Sequence, residues 1–213
     1  MTPKMQPFWW FLKPPSPACW RNSCENCADW TIDSGLNCSV EGFDYKEGSG
    51  KIKFTASPDP PTTARHASIP VSVCDKYFGF WVKPSMPNQN AVAYLQWFKA
   101  NNDYIGIRIS NLNYAPIGRW IMGMINVAGH SNMVALQQFS DDTWYWNEIV
   151  AYKGAGEGNY YWYVNGALKW TYSTAPEFGD PAKFELTALD TYYLGTIKLD
   201  FIRRATKLEY PPT

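Results

Sequence analysis

Tyr160-Tyr161-Trp162-Tyr163-Val164-Asn165-Gly166-Ala167-Leu168-Lys169-Trp170 is the stretch on which the reading of this chain turns. Asn-Gly is the preferred pair for a two-residue type I′ turn, because both central residues need positive φ. Strand-forming residues flank it on both sides, so the segment is predicted to be a β-hairpin. The turn sets the register: Val164 faces Ala167, Tyr163 faces Leu168, Trp162 faces Lys169 and Tyr161 faces Trp170. Residues two apart share a face. Tyr161, Tyr163, Leu168 and Trp170 therefore form one face, predicted to be core. Trp162, Val164, Ala167 and Lys169 form the other, which the lysine marks as solvent-facing, with Trp162 an exposed aromatic.

The same period-two pattern recurs through the chain. Ile52 and Phe54 alternate with lysines, and Phe78, Phe80 and Val82 alternate with Gly79 and Trp81. Ile105, Ile107 and Ile109 alternate with Tyr104, Gly106, Arg108 and Ser110, and Ile197, Leu199 and Phe201 alternate with Lys198 and Asp200. Gly, Asn, Asp and Pro clusters separate these runs, and no capped amphipathic helix follows residue 40. Many short strands at regular spacing predict an all-β, two-sheet antiparallel sandwich. Residues 39–213 are assigned to it. Residues 1–38 are read as an extended Pro- and Cys-rich arm and cap, since Pro14-Pro15-Ser16-Pro17 suits polyproline-like chain.

Lys+Arg and Asp+Glu are 19 each among 213 residues, so no global charge draws the chain to nucleic acid or anionic membrane. The longest apolar runs fall far short of the ~20 residues a spanning helix needs. Phe8-Trp9-Trp10-Phe11-Leu12 is too short and too closely bracketed by prolines and Lys13 for a secretory leader. Either a leader has been removed or the protein reaches the outside without one; Met1 favours the second. Aromatic residues are 17% of the chain, most of them expected in the core and a minority on a working surface.

Asp142-Thr143-Trp144, the Gly154–Gly158 turn and Tyr163-Val164-Asn165-Gly166 together resemble the concanavalin A-like lectin/glucanase superfamily, including its laminin G-like modules. Asp29 to Gly35, Gly50 to Phe54 and Leu199 to Arg203 add to the resemblance, which spans residues 29–205. It implies a jelly roll of about a dozen strands. Asn147 and Glu148 depart from it, in a strand that is usually apolar after its Trp. Hydrolases of this superfamily carry Glu-x-Asp-x-x-Glu on one strand, which places two carboxylates on one face. Its lyases carry Arg-x-Glu-Leu-Arg and Gln-Ile-His strands. The chain has none of these, and its two histidines, His66 and His130, read as loop or surface residues. The sequence therefore predicts no catalysis, with a secreted hydrolase or lyase as the alternative.

Exposed aromatics on a sheet face would bind sugar, which makes Trp162 the first candidate, followed by Trp146, Trp120 and Trp97, with Lys169 beside Trp162; Trp97 and Trp120 fit a place in the core equally well. Cys19, Cys24, Cys27 and Cys38 are disulfide candidates; tetrahedral zinc is the alternative. No cofactor is required. The resemblance adds structural calcium as an option, for which Asp141, Asp142, Asp180 and Asp190 are loop candidates. The arm residues Phe8, Trp9, Trp10 and Phe11 suit docking to other protein subunits, because prolines reduce the entropy lost on ordering and aromatics supply contact area. The expectation is a lectin-like recognition or assembly protein, oligomeric, on a virion or cell surface, with a glycan as ligand.

Overall fold

The computed structural model describes residues 20–33, 35–46, 48–56, 64–72, 77–87, 89–99, 101–112, 116–153, 158–189 and 195–205. The arm residues Phe8, Trp9, Trp10 and Phe11, together with Cys19, Cys74 and Asp190, lie outside them.

The strands are β1 (Trp20–Asn22), β2 (Thr31–Ile32), β3 (Leu36–Glu41), β4 (Lys51–Ala56), β5 (Arg65–Pro70), β6 (Tyr77–Ser85), β7 (Ala91–Phe98) and β8 (Tyr104–Leu112). They continue as β9 (Gly118–Val127), β10 (His130–Gln138), β11 (Tyr145–Lys153), β12 (Gly158–Val164), β13 (Ala167–Ala175), β14 (Lys183–Leu189) and β15 (Thr196–Ala205). Two antiparallel sheets form the predicted sandwich. One is eight-stranded, in the order β13-β12-β11-β6-β15-β4-β3, with β1 also pairing β15. The other is seven-stranded, in the order β10-β9-β8-β7-β14-β5-β2. Residues 20–38 are woven into both: β1 joins the first sheet, β2 the second, and Cys24, Trp30 and Leu36 are buried in the core.

The alternating runs bury the expected faces. Ile52, Phe54, Phe78, Phe80, Val82, Ile105, Ile107, Ile109, Ile197 and Leu199 all lie in the core between the sheets. Phe184 of β14 is the hub of its ring contacts, 4.8 Å from Trp97, 5.3 Å from Phe80 and 6.2 Å from Trp30. Phe201 leaves the pattern. Its φ is +44°, and the β15–β6 register slips between Asp200 and Arg203. A bulge inserts one residue and reverses the phase beyond it. Ile202 therefore takes the buried position and Phe201 is only half-buried.

The decisive hairpin forms its turn as read, with φ of 50° at Asn165 and 77° at Gly166. Val164 faces Ala167 and Tyr163 faces Leu168, as the turn dictates. Then the register slips: Trp162 pairs with Trp170, so Lys169 is an extra residue bulged out of β13. The lysine thus says nothing about the face that Trp162 occupies; the predicted faces are reversed along β12 and at Leu168, while Trp170 packs against the core as expected. Tyr160, Trp162 and Val164 point into the core, Tyr161 and Tyr163 outward. Trp162, expected outside, is 1% exposed, and Leu168, expected inside, is 51% exposed. The indole of Trp162 stacks on Trp170 at 4.2 Å, and its Nε1 crosses the sandwich to donate to the Gly106 carbonyl at 3.0 Å. Gly123 makes room: a Cβ there would lie 2.8 Å from Trp170 and 3.2 Å from Trp162.

Candidate functional site

Each sheet turns one face away from the core, and the two faces differ chemically. On the eight-stranded sheet, β3, β4, β6 and β15 carry a closed network of charges. Lys51 is fully buried and donates to the Phe43 and Asp44 carbonyls, with the carboxylates of Glu41 and Asp44 each 3.5 Å away. Lys53 and Lys198 lie 3.1 Å from Glu41, and Lys83 hydrogen-bonds Asp44. The Lys83 hydrogen bond holds the Asp44 carboxyl below its ordinary range. Burial raises the Glu41 carboxyl, but hydrogen bonds from Lys198 and Lys53 outweigh it, and the net shift is downward. Along β11, Trp146 is closed in rather than available: Trp81 lies 5.4 Å away and the Arg203 guanidinium sits over its ring at 4.8 Å. Glu148 accepts from Trp146 Nε1 at 3.4 Å within this packed layer, whereas Asn147 turns to the core side, level with Phe80 and Val164, and its Nδ2 donates to the Tyr145 carbonyl at 3.2 Å.

The outer face of the seven-stranded sheet is more open. β7 alternates core residues Ala93, Leu95 and Trp97 with outward Tyr94, Gln96 and Phe98. β8 turns Tyr104 and Arg108 outward, and β14 turns Lys183, Glu185 and Thr187 the same way. Tyr94, Phe98, Tyr104 and Arg108 are half-buried, while Gln96, Glu185 and Thr187 lie low among them. Gly106, level with Gln96 and Met124, is tightly packed: a Cβ there would lie 2.3 Å from the Leu95 carbonyl oxygen and 3.1 Å from Gln96 Cγ. The Arg108 guanidinium sits over the Tyr94 ring at 5.9 Å, and Lys183 lies over Phe98 at 5.2 Å.

A polar cluster anchors one side of this face. Glu185 Oε1 accepts from Thr187 Oγ1 at 3.0 Å, and His66 Nδ1 lies 3.2 Å from both oxygens. Lys183 hydrogen-bonds the second Glu185 oxygen. His66, read as a loop or surface residue, sits on β5 opposite Thr187, because antiparallel pairing brings residues 121 positions apart to one level. Among the described residues Glu185 is the one carboxylate at an outward strand position of this sheet.

The five sequence candidates for sugar binding are not brought together. Trp97 and Trp162 are core residues, and Trp146 is buried beneath the opposite face. Their expected exposure is corrected by the same cause: large indoles fill the space between and upon the sheets. Trp120 does lie on the outer face of the seven-stranded sheet, half-buried, its Nε1 donating to the Ile117 carbonyl at 2.9 Å. Lys169 is exposed on the β13 bulge, in the other sheet. Tyr94, Gln96, Arg108 and the His66–Glu185 pair were not singled out from the sequence. The available signal was the alternation in Ala91–Phe98, where polar and aromatic residues interleave with apolar ones.

Cys27 and Cys38 form a disulfide, which removes two of the four thiolates a zinc site from the cysteine candidates needs. Cys24 is free and buried; burial and the nearby Asp200 charge push its thiol up. The described calcium candidates, Asp141, Asp142 and Asp180, do not converge. Asp141 pairs with Arg119 at 2.9 Å and Asp180 with Arg204 at 2.9 Å, and no cluster of three metal-ligating side chains occurs among the described residues. No helix among the described residues is long and apolar enough to cross a membrane.

No known family model matches the sequence, and no curated protein matches it. Solved structures do resemble the fold. The chain is similar to the cellulose-induced protein Cip1, with TM-score 0.58 and 12% identity over 86% of this chain and 95% of that one. It is similar to a Bacillus licheniformis beta-glucanase, with TM-score 0.57 and 15% identity over 92% of this chain and all of that one. It is also similar to the receptor-binding domain of botulinum neurotoxin type G, with TM-score 0.53 and 16% identity, covering 84% of this chain and 42% of that one. This chain therefore spans less than half of that last domain. Catalytic and binding proteins share this architecture, and at these identities the likeness is one of fold: a two-sheet antiparallel jelly-roll sandwich.

Proposed function

We propose that this is a non-catalytic recognition protein whose lectin-like sandwich binds a glycan across the outer face of the seven-stranded sheet. We place it on a virion or cell surface, as a decoration or attachment subunit. The observation that carries the glycan reading is the row of half-buried rings, Tyr94, Phe98 and Tyr104, standing beside low-lying Gln96, Glu185 and Thr187. Rings offer flat apolar area to the faces of a sugar, and neighbouring polar groups take its hydroxyls. A carbohydrate ligand also fits a fold shared with glucanases and binding domains alike. The surface location is supported by the Cys27–Cys38 disulfide, which belongs in an oxidising compartment. The assembly role is supported by the aromatic and proline-rich composition of the arm.

A carbohydrate-active enzyme is the second reading, favoured by the buried Glu185 with His66 at 3.2 Å. A retaining or inverting hydrolase needs a second carboxylate across the scissile bond. A glycan array separates the two readings. The wild type is expected to give a signal that Tyr94→Ala abolishes without changing its melting temperature. No wild-type signal would remove the glycan reading and leave assembly alone. Release of a reducing sugar or an unsaturated uronate from the bound glycan, lost in Glu185→Gln, would replace recognition with catalysis.

A further inference from the structure

We infer that the glycan taken by the seven-stranded sheet is acidic, and that Arg108 grips its carboxylate or sulfate group. The inference rests on the reading of that face as a glycan site and names the class of sugar. Arg108 lies in mid-strand on β8, paired with Tyr94 on one side and Met122 on the other. Met133 of β10, paired with Met124, reaches Arg108 diagonally, and Gly106 and Ser110 precede and follow Arg108 on the outer face. None of these neighbours is charged.

A guanidinium has five N–H donors and no acceptor. The described residues give those of Arg108 one acceptor, the Met133 thioether sulfur at 4.0 Å. Its Nε is buried and has no hydrogen-bond partner. The other buried or half-buried arginines all meet oxygen. Arg65 donates to the Gly35 carbonyl at 2.7 Å, Arg119 pairs with Asp141, Arg203 lies 4.0 Å from Glu148 and Arg204 pairs with Asp180. The nearest outward carboxylate on this sheet, Glu185, lies across β7 and is held by Lys183, His66 and Thr187.

A partly desolvated cation without a counter-ion is costly. Its stacking on Tyr94 offsets only part of that cost and leaves the donors unmet. An oxyanion matches the guanidinium fork in charge and geometry. A saccharide bearing one also uses the adjoining rings of Tyr94 and Tyr104, which a free inorganic anion would not.

The test is an array carrying uronate-containing, sulfated and neutral glycans, followed by titration of the strongest binder. Binding is expected only for acidic glycans, on the uronate or the sulfate arm, and to weaken as salt is raised. Arg108→Gln is expected to lower affinity roughly tenfold to a hundredfold. Arg108→Lys should fall between, because it keeps the charge without the fork. Melting temperatures of both variants exclude a folding defect, and Lys53→Gln on the opposite sheet should bind like the wild type. Neutral glycans bound as well as acidic ones, or acidic binding unchanged in folded Arg108→Gln, would overturn the inference and leave the glycan reading standing. No binding to any glycan would overturn both.

Discussion

Trp162 carries the clearest residue-scale lesson. Its indole spans the sandwich, stacked on Trp170 and bonded to the Gly106 carbonyl, in space that Gly123 leaves open. Replacing so large a buried side chain removes its transfer energy and leaves a cavity, so Trp162→Ala is expected to cost about 3–5 kcal/mol. Urea unfolding measures this as a lowered midpoint. A loss below about 1 kcal/mol would mean that the ring does not fill the core. The turn beside Trp162 was legible, because positive φ at Asn165 and Gly166 is a local demand that the sequence answers directly. The orientation of Trp162 was not, because it depends on one bulged residue, Lys169, which no local preference marks. Arg108 was visible as an outward residue of an alternating strand. Its want of a counter-ion was not, since that depends on Tyr94, Met122 and Met133, which are brought to it by pairing across three strands.

At the scale of elements, β4, β6 and β8 announced themselves by alternation with one apolar face. β11 was legible as a strand only through the resemblance and not by alternation, since it is buried on both sides and mixes Asn147 and Glu148 with Trp146 and Ile149. β10 hid for the opposite reason, being an edge strand whose first four residues are exposed. The segment after β3 shows how charge fixes a loop. Asp44 has a positive φ of 55°, its carbonyl accepts from Lys51 and from Trp144 Nε1, and its carboxylate accepts from Lys83. The carboxyls of Asp44 and Glu41 are both held below their ordinary range in the folded protein. A depressed carboxyl contributes stability that is fully present above its unfolded value, near 4, and is lost as pH falls through the folded value. The melting temperature is therefore expected to change little between about pH 7 and 5 from this source and to fall below about pH 4. Lys83→Met removes the principal cause of the Asp44 shift and should make the acid fall shallower. The effect is small, about 0–1 kcal/mol, because the Asp44 side chain is 46% exposed. An acid limb of equal steepness in both proteins would show that the pairing contributes nothing.

For the whole molecule, the question is which part folds and which part assembles. Among the described residues the first pairing is at Trp20, where β1 lies antiparallel to Arg203 and Arg204 of β15. Trp20 packs edge-on against Trp97 at 6.0 Å, and the Cys27–Cys38 disulfide ties the following turn to β3. The arm ahead of Trp20 holds Phe8, Trp9, Trp10 and Phe11 between prolines, a composition rich in contact area and low in ordering cost. If the arm docks onto other subunits, deleting residues 1–18 separates the two properties. The truncated protein is expected to keep the β-sheet circular dichroism and the melting temperature of the full chain, within a few degrees, while its sedimentation coefficient falls to that of a smaller species. Glycan binding should persist per subunit, with lower avidity because fewer sites are linked. An unchanged sedimentation coefficient would end the docking role of the arm. A collapse of the melting temperature would assign the arm to the fold instead, as a strap on its own sandwich.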